Sequence, residues 1–227
     1  AYAGPGETVV HSAHGFLMYA ISARAAGAEP VAAPETALRA DVDALLAACD
    51  ARTRLIFLAN PNNPTGTLLG ADDLARLAAE KPARALLVLD GAYAEYLRAD
   101  QDDGALALAA ARDDVVVTRT FSKIHGLAAL RLGWAFAPAH VVDVLNRVRG
   151  PFNVSAPALA AGVAAIEDCE HAQRSALLNE VWRDYLLKRL AAAGVETTDT
   201  AGNFVLARFG EDTETGVAAA DAHLRRR

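Results

Sequence analysis

The sequence predicts an α/β protein: a mostly parallel β-sheet covered on both faces by helices, followed by a smaller α+β unit. Three observations carry this expectation. Short apolar runs such as "RLIFLA", "ALLVL" and "DVVVTRTF" are continuous rather than alternating, as strands buried on both faces must be. Helical patterns separate most of these runs, which is the connection that parallel strands require. Hydrophobic residues make up 53% of the 227 residues and charged residues 22%, the balance of a packed chain with a sizeable core.

The elements follow in order. "ETVVHSA" is a short β-rich run, and "GFLMYAISARAAGA" reads as a helix closed by Gly27. "EPVAAP" is another short strand. "DVDALLAACDART" is helical, with Asp41 as N-cap, because a short carboxylate there can accept a free backbone amide of the first turn. Strand "RLIFLANP" stops at "NPNNPTG", a dense cluster of turn residues. "GADDLARLAAEKP" is a helix, and "ARALLVLDGAY", "DVVVTRTF" and "LGWAFAP" are further strands. This pattern occupies residues 1–150, the expected large unit. After "RGPFNVSAP" it changes. Two helices are expected over Ala156–Cys169 and His171–Ala193, then strand-like "VETTDT" and "NFVLARF", then helical "ETGVAAADAHLRRR". Residues 151–227 therefore form the smaller unit. The chain opens on a loop-like stretch and ends inside a helical pattern without a C-cap glycine, so both units are expected to be incomplete at those ends.

Charge and composition exclude several functions. The net charge is −6 with both signs interspersed, which argues against a nucleic-acid surface. No apolar run reaches the length of a membrane span and no signal-peptide pattern opens the chain, so a cytoplasmic protein is expected. Cys49 and Cys169 are far apart and belong to no CxxC, so both are expected to be reduced. His11 and His14 have no third ligand candidate near them, so no metal site is expected.

Ligands of an open parallel sheet bind at the carboxyl ends of its strands. Four segments place polar residues there. "RLIFLA" ends at Asn60 to Gly66, including Asn63. "ALLVL" ends at Asp90, with Tyr93 close behind. "VVVTRTF" ends at Thr120, Ser122 and Lys123, and Arg131 precedes strand "LGWAF". Each has an ordinary structural use when taken alone: a turn, an N-cap, a surface ion pair. Together they complement one ligand. A lysine amine can form a Schiff base with an aldehyde. A carboxylate can hold a proton on a pyridine nitrogen and keep the ring an electron sink. A Tyr hydroxyl and an Asn amide can bond a phenolate oxygen, and hydroxyls with an Arg fork can bind a phosphate. Those are the groups of pyridoxal 5′-phosphate.

The stretches "NPNNPTGT", "LVLDGAYAEY" and "TRTFSKIHGLAALRLGW" resemble the fold-type I pyridoxal-phosphate aminotransferases of class I/II, nearest to the histidinol-phosphate aminotransferase branch. "GFLMYAISARAAGAEPVAAP" and "GNFVLARF" also fit that branch, so the resemblance runs along essentially the whole chain. It implies an aspartate-aminotransferase-like large domain. It implies that Lys123 is the Schiff-base lysine and moves the proton between substrate and cofactor. Asp90 then pairs with the pyridinium nitrogen, Asn63 and Tyr93 bond the ring oxygen, and Ser122, Arg131 and Thr120 bind the phosphate. Phe16 falls where the family stacks an aromatic ring on the cofactor, although a helix-face core residue would read the same. Asn203 matches a residue near the substrate.

The implied reaction is transamination of L-histidinol phosphate with 2-oxoglutarate, giving imidazole acetol phosphate and glutamate in histidine biosynthesis, by a homodimer that needs neither nucleic acid nor membrane. Alternatives are an aromatic-amino-acid aminotransferase, a phosphothreonine-type decarboxylase, or an aminotransferase-like ligand-sensing domain of a regulator. Two departures stand out: Gly91 where many relatives carry Glu, and His125 where they often carry an aromatic. The family's glycine-containing phosphate loop, and the tyrosine it lends to the partner subunit, would precede Ala1. Its substrate-binding arginines would follow Arg227. The 227 residues alone are therefore expected to turn over poorly.

Overall fold

A computed structural model describes residues 1–210 and 216–226. In chain order the elements begin with strand Thr8–Ser12 (β1), helix Met18–Ala25 (α1) and strand Glu29–Ala33 (β2). A small hairpin of Glu35–Thr36 (β3) and Arg39–Ala40 (β4) follows. Next come helix Val42–Ala47 (α2), strand Thr53–Ala59 (β5), helix Ala71–Glu80 (α3) and strand Leu86–Asp90 (β6). Helix Ala105–Ala111 (α4), strands Val115–Thr120 (β7) and Gly133–Phe136 (β8), and helix Ala139–Val148 (α5) complete the first part. Helices Ala156–Glu167 (α6) and Cys169–Ala192 (α7), strands Glu196–Thr197 (β9) and Ala207–Arg208 (β10), and helix Val217–Leu224 (α8) complete the second.

The main sheet has the order β2-β1-β5-β6-β7-β8 and is parallel except for β8, which runs antiparallel to β7. Alternation along each strand sends side chains to opposite faces. Leu87, Leu89, Val115 and Val117 turn to the face covered by α2, α3 and α4, where they meet Leu45, Leu74 and Leu77 in a fully buried core. Leu86 and Val116 turn to the other face and meet Val141 of α5, while Val9 packs on Ala23 of α1. Both faces of the sheet's middle strands are therefore covered, and those strands are mostly apolar for that reason, whereas the edge strand β8 is exposed along its length.

Several expected boundaries move, each for a local reason. Asp41 is the N-cap of α2, accepting the Ala44 amide at 3.1 Å, but the helix stops at Ala47 rather than running through "CDART". There Asp50 Oδ1 accepts the Arg52 amide at 2.8 Å and Thr53 Oγ1 accepts the Asp50 amide at 2.9 Å. That side-chain turn competes with helix and feeds Thr53 directly into β5. Asp168 accepts the His171 amide at 2.9 Å, so Cys169 opens α7 instead of closing α6. Helices α4 and α5 lay in stretches without an assigned element in the sequence. "VETTDT" and "NFVLARF" pair over only two residues each. In the last helical stretch, Glu214, Thr215 and Arg227 lie outside the described residues, and the helix spans Val217–Leu224.

The reason β9 is short matters for function. Residues 198–201 leave it to dock on the turn after β5. Thr198 Oγ1 donates to the Thr65 carbonyl at 2.6 Å, and the Ala201 amide donates to the Gly66 carbonyl at 2.8 Å. Gly66 has φ +75°, and a Cβ there would lie 2.2 Å from Thr200 Oγ1. Gly66→Ala is expected to destabilise the protein by about 1–3 kcal/mol through strain and overpacking. Gly150→Ala, which meets nothing within 4 Å, should stay within about 0.5 kcal/mol of the parent. Urea unfolding of the two variants measures both.

Candidate active site

The carboxyl ends of β5 and β6 finish level with one another, and β7 runs on beside them to Thr120. Ala59 stands beside Asp90, and Asp90 beside Thr118. A cleft of about 380 Å³ opens at this rim, lined by Phe16, Asn63, Asp90, Tyr93, Thr120, Ser122, Lys123 and Arg131. Every residue expected to touch the cofactor faces this one cleft. Asn203 does not line it. It is exposed in the turn before β10, beside Phe204.

The turn that carries Asn63 is buried rather than a surface loop. Asn60, Asn62 and Thr65 are each at most 2% exposed. The Asn60 side chain bonds the Leu69 amide and carbonyl at 2.8 and 3.0 Å, stapling the turn shut, and donates to Asp103 at 3.1 Å. Asn62 donates to Thr65 Oγ1 at 2.8 Å. The peptide bonds before Pro61 and Pro64 are both cis. The result presents the Asn63 amide, whose Nδ2 donates to the Tyr93 hydroxyl at 3.1 Å.

Asp90, the last residue of β6, has both oxygens fixed. Oδ1 accepts the Ala92 amide at 3.2 Å, and Oδ2 accepts the Tyr19 hydroxyl at 2.7 Å. Sequence reasoning missed Tyr19. The signal was its position three residues after Phe16, where the chain turns into α1 and the two rings meet. Tyr19 stacks on Phe57 with centroids 4.8 Å apart. Burial, and then the adjacent Asp90 carboxylate, push its phenol far above the ordinary tyrosine range, so it remains a proton donor to Asp90. Phe16 meets Tyr19 edge to face and is 39% exposed at the cleft mouth, so it is not a core residue.

Tyr93 is held by Phe204, edge to face at 5.0 Å, and Lys123 Nζ lies 5.2 Å from the Tyr93 ring centroid. The lysine follows β7 in a tight turn in which Thr120 Oγ1 accepts the Ser122 amide at 3.1 Å. Arg131, with left-handed φ of 54°, turns back toward the same place. Its Nη1 donates to the Ala128 carbonyl at 2.6 Å and lies 3.5 Å from Ser122 Oγ. The cleft thus offers a carboxylate, an amide–phenol pair, an amine, and a hydroxyl–guanidinium group suited to an anion. This donor set fits a planar aldehyde-bearing ring with a basic nitrogen, a ring oxygen and a phosphate. The sequence-expected pyridoxal phosphate has those groups.

A larger cleft, of about 870 Å³, lies between the β3–β4 hairpin and β9–β10. Its arginines are already paired: Arg39 with Asp73, Arg76 with Asp43 and Arg208 with Glu196. It contains no lysine or histidine, so size and chemistry part company here, and the smaller cleft is the candidate site.

Comparison with known proteins places this geometry in context. The family model for aminotransferase class I and II matches residues 1–226. A histidinol-phosphate aminotransferase of Cereibacter sphaeroides is 56% identical over 99% of this chain, which spans 61% of that relative's length. The crystal structure of a histidinol-phosphate aminotransferase from Sinorhizobium meliloti in complex with pyridoxal-5′-phosphate superposes with a TM-score of 0.87 at 30% identity, covering 92% of this chain and 57% of that one. An aspartate aminotransferase of Thermus thermophilus shares the fold, with a TM-score of 0.82 at 24% identity over 99% of this chain and 64% of that one.

Tyr19→Phe deletes one hydroxyl and leaves the ring stack in place. Loss of a hydrogen bond to a charged acceptor is expected to cost about 1.5–3 kcal/mol, read as a lower urea midpoint with an unchanged denaturant slope.

Proposed function

The chain belongs to the aminotransferase class I and II family, and from that premise we propose that its protein catalyses pyridoxal-phosphate-dependent transamination. The proposed amino donor is L-histidinol phosphate and the acceptor 2-oxoglutarate. One observation carries the reading: Lys123, Asp90, Asn63, Tyr93, Ser122 and Arg131 converge on a single cleft, within a chain 56% identical to a histidinol-phosphate aminotransferase.

The bound cofactor supplies an electron sink for the charge that develops at the substrate α-carbon. The chain's residues do the rest. Lys123 is the residue whose Nζ would hold the aldehyde and would carry the α-proton of the substrate. Asp90 accepts the ring N–H with a carboxylate whose orientation is set by Tyr19 and Ala92. The Asn63 amide and the Tyr93 hydroxyl hold the ring oxygen. Ser122, Thr120 and Arg131 would take the phosphate, and Phe16, at the cleft mouth, would cover the ring. Asn203, which the family resemblance sets near the substrate, stands outside the cleft and is given no contact in this reading. The division into a large cofactor-binding unit, residues 1–150, and a smaller unit, residues 151–227, belongs to the same proposal, as do a homodimeric assembly and a cytoplasmic location. Family resemblance supports these last points. No helix among the described residues is long and apolar enough to cross a membrane.

Titration of the purified protein with pyridoxal phosphate is expected to produce a visible absorbance band that Lys123→Ala lacks. The same substitution should lower transamination of histidinol phosphate by at least about 10²–10⁴-fold, the usual contribution of a positioned acid–base group. A parent protein whose spectrum does not change on adding the cofactor would sink the proposal. A higher kcat/KM for phenylalanine or tyrosine than for histidinol phosphate would favour the aromatic-amino-acid alternative.

A further inference from the structure

Arg119 has no part in the reading above, yet its side chain is only 9% exposed at the edge of the cleft. It sits one strand over from Gly91. Strands β6 and β7 pair Asp90 with Thr118, so the following residues, Gly91 and Arg119, are neighbours whose side-chain directions share a face. The guanidinium lies across the glycine. A Cβ on Gly91 would fall 1.3 Å from Arg119 Nη1 and 2.5 Å from Cζ. The side-chain space of residue 91 is therefore filled by residue 119.

The same guanidinium reaches the turn beyond. Its Nε faces Glu95 Oε1 at 3.6 Å, in the short 3₁₀ turn Ala94–Tyr96. Nη1 and Glu95 Oε2 are both buried without a hydrogen-bond partner among the described residues. Burial pushes the Glu95 carboxyl up from its ordinary range, and Arg119 opposes that shift. A buried cation is costly unless a nearby anion compensates it, so Arg119, Glu95 and the vacancy at Gly91 form one unit. Between the two ends of that unit, residues 91–95 carry Tyr93, and Asp90 immediately precedes them. The backbone of this segment is held by the cross-strand bond from the Gly91 amide to the Thr118 carbonyl at 3.0 Å and by short turn bonds, among them Ala94 amide to Gly91 carbonyl at 3.1 Å and Tyr96 amide to Tyr93 carbonyl at 3.1 Å.

We propose that Arg119 is a positioning residue for the cofactor site, braced in the side-chain space of Gly91 and tied to Glu95, so that it holds the turn presenting Asp90 and Tyr93. The inference rests on the cofactor reading above. It carries a specific consequence: a side chain at 91 would displace the guanidinium of Arg119 from the place it now takes. It also gives the departure at Gly91 a physical meaning, since the missing side chain is what makes room for the guanidinium.

The test is a double-mutant cycle in the purified full-length protein, read by three measurements. These are the pyridoxal-phosphate Kd from spectral titration, the pH midpoint of the bound cofactor's absorbance, and Tm. Gly91→Ala, which leaves both charges in place but expels the guanidinium, is expected to raise the Kd about tenfold and to shift the pH midpoint. Arg119→Ala should do the same. The double variant should match Arg119→Ala alone, because the alanine at 91 then enters a space already empty. Arg119→Lys keeps the charge without the fork and should restore part of the affinity. Multiplicative effects in the double variant would overturn the proposal, and so would a fall in Tm with unchanged Kd and pH midpoint. If Arg119→Ala fails to fold, Gly91→Ala and Arg119→Lys carry the same two readouts. A parent protein with no spectral response points instead to failure of the cofactor reading itself.

Discussion

The register of three parallel strands is the constraint on which the rest of the site depends. Ala59, Asp90 and Thr118 stand side by side because β5, β6 and β7 pair in that register. A shift of one residue in any strand would turn its terminal side chain to the opposite face. Asp90 would then face the α2–α3–α4 core, where an unpaired carboxylate is costly. The leucines and valines that bury the sheet on both faces thus also fix where the carboxylate, the amide and the amine emerge.

Around that rim, rigidity comes from buried polar networks rather than from further apolar packing. The turn after β5 is closed by its own asparagines and threonines, all buried and bonded. It is clasped from outside by residues 198–201. Polar groups in such surroundings are stabilising only when each finds its partner. Most of them are paired here, Asn62 Oδ1 being a buried exception among the described residues, and the turn holds the Asn63 amide against the Tyr93 hydroxyl. The clasp also joins the C-terminal part of the chain to the cleft: the strand remnants β9 and β10 are short because the backbone between them serves that contact. Phe204, at the far side of the same segment, holds Tyr93 by its edge.

Charge is distributed unevenly over the site. Asp90 is supported by two donors, Tyr19 and the Ala92 amide. Arg131 is exposed and reaches Ser122, where an anion would bring the two together. Arg119 is withdrawn from solvent beside the turn between these groups, and the half-buried Glu95 of that turn faces it. The three arrangements answer different needs. One orients a carboxylate, one leaves a cation free to meet a ligand, and one uses a partly buried ion pair as a brace.

The sequence alone determined the fold class, most strands, the Asp41 cap and the cleft residues at the strand ends. Strand ends and turn chemistry are local, and the order of "NPTG", "LDGAY" and "TFSK" along the chain already implies a shared rim. It did not reveal Tyr19, whose importance comes from a contact 71 positions away with Asp90. Nor did it reveal that α2 ends at Ala47 or that residues 198–201 leave their strand, because each depends on side-chain bonds that compete with regular structure. It marked Gly91 as a departure but could not say what occupies its place. Only the tertiary structure decides that, since two residues 28 positions apart in the chain become neighbours solely through the pairing of β6 with β7. Local physics writes its signals in residue type and spacing; long-range packing leaves no such mark until the chain has folded.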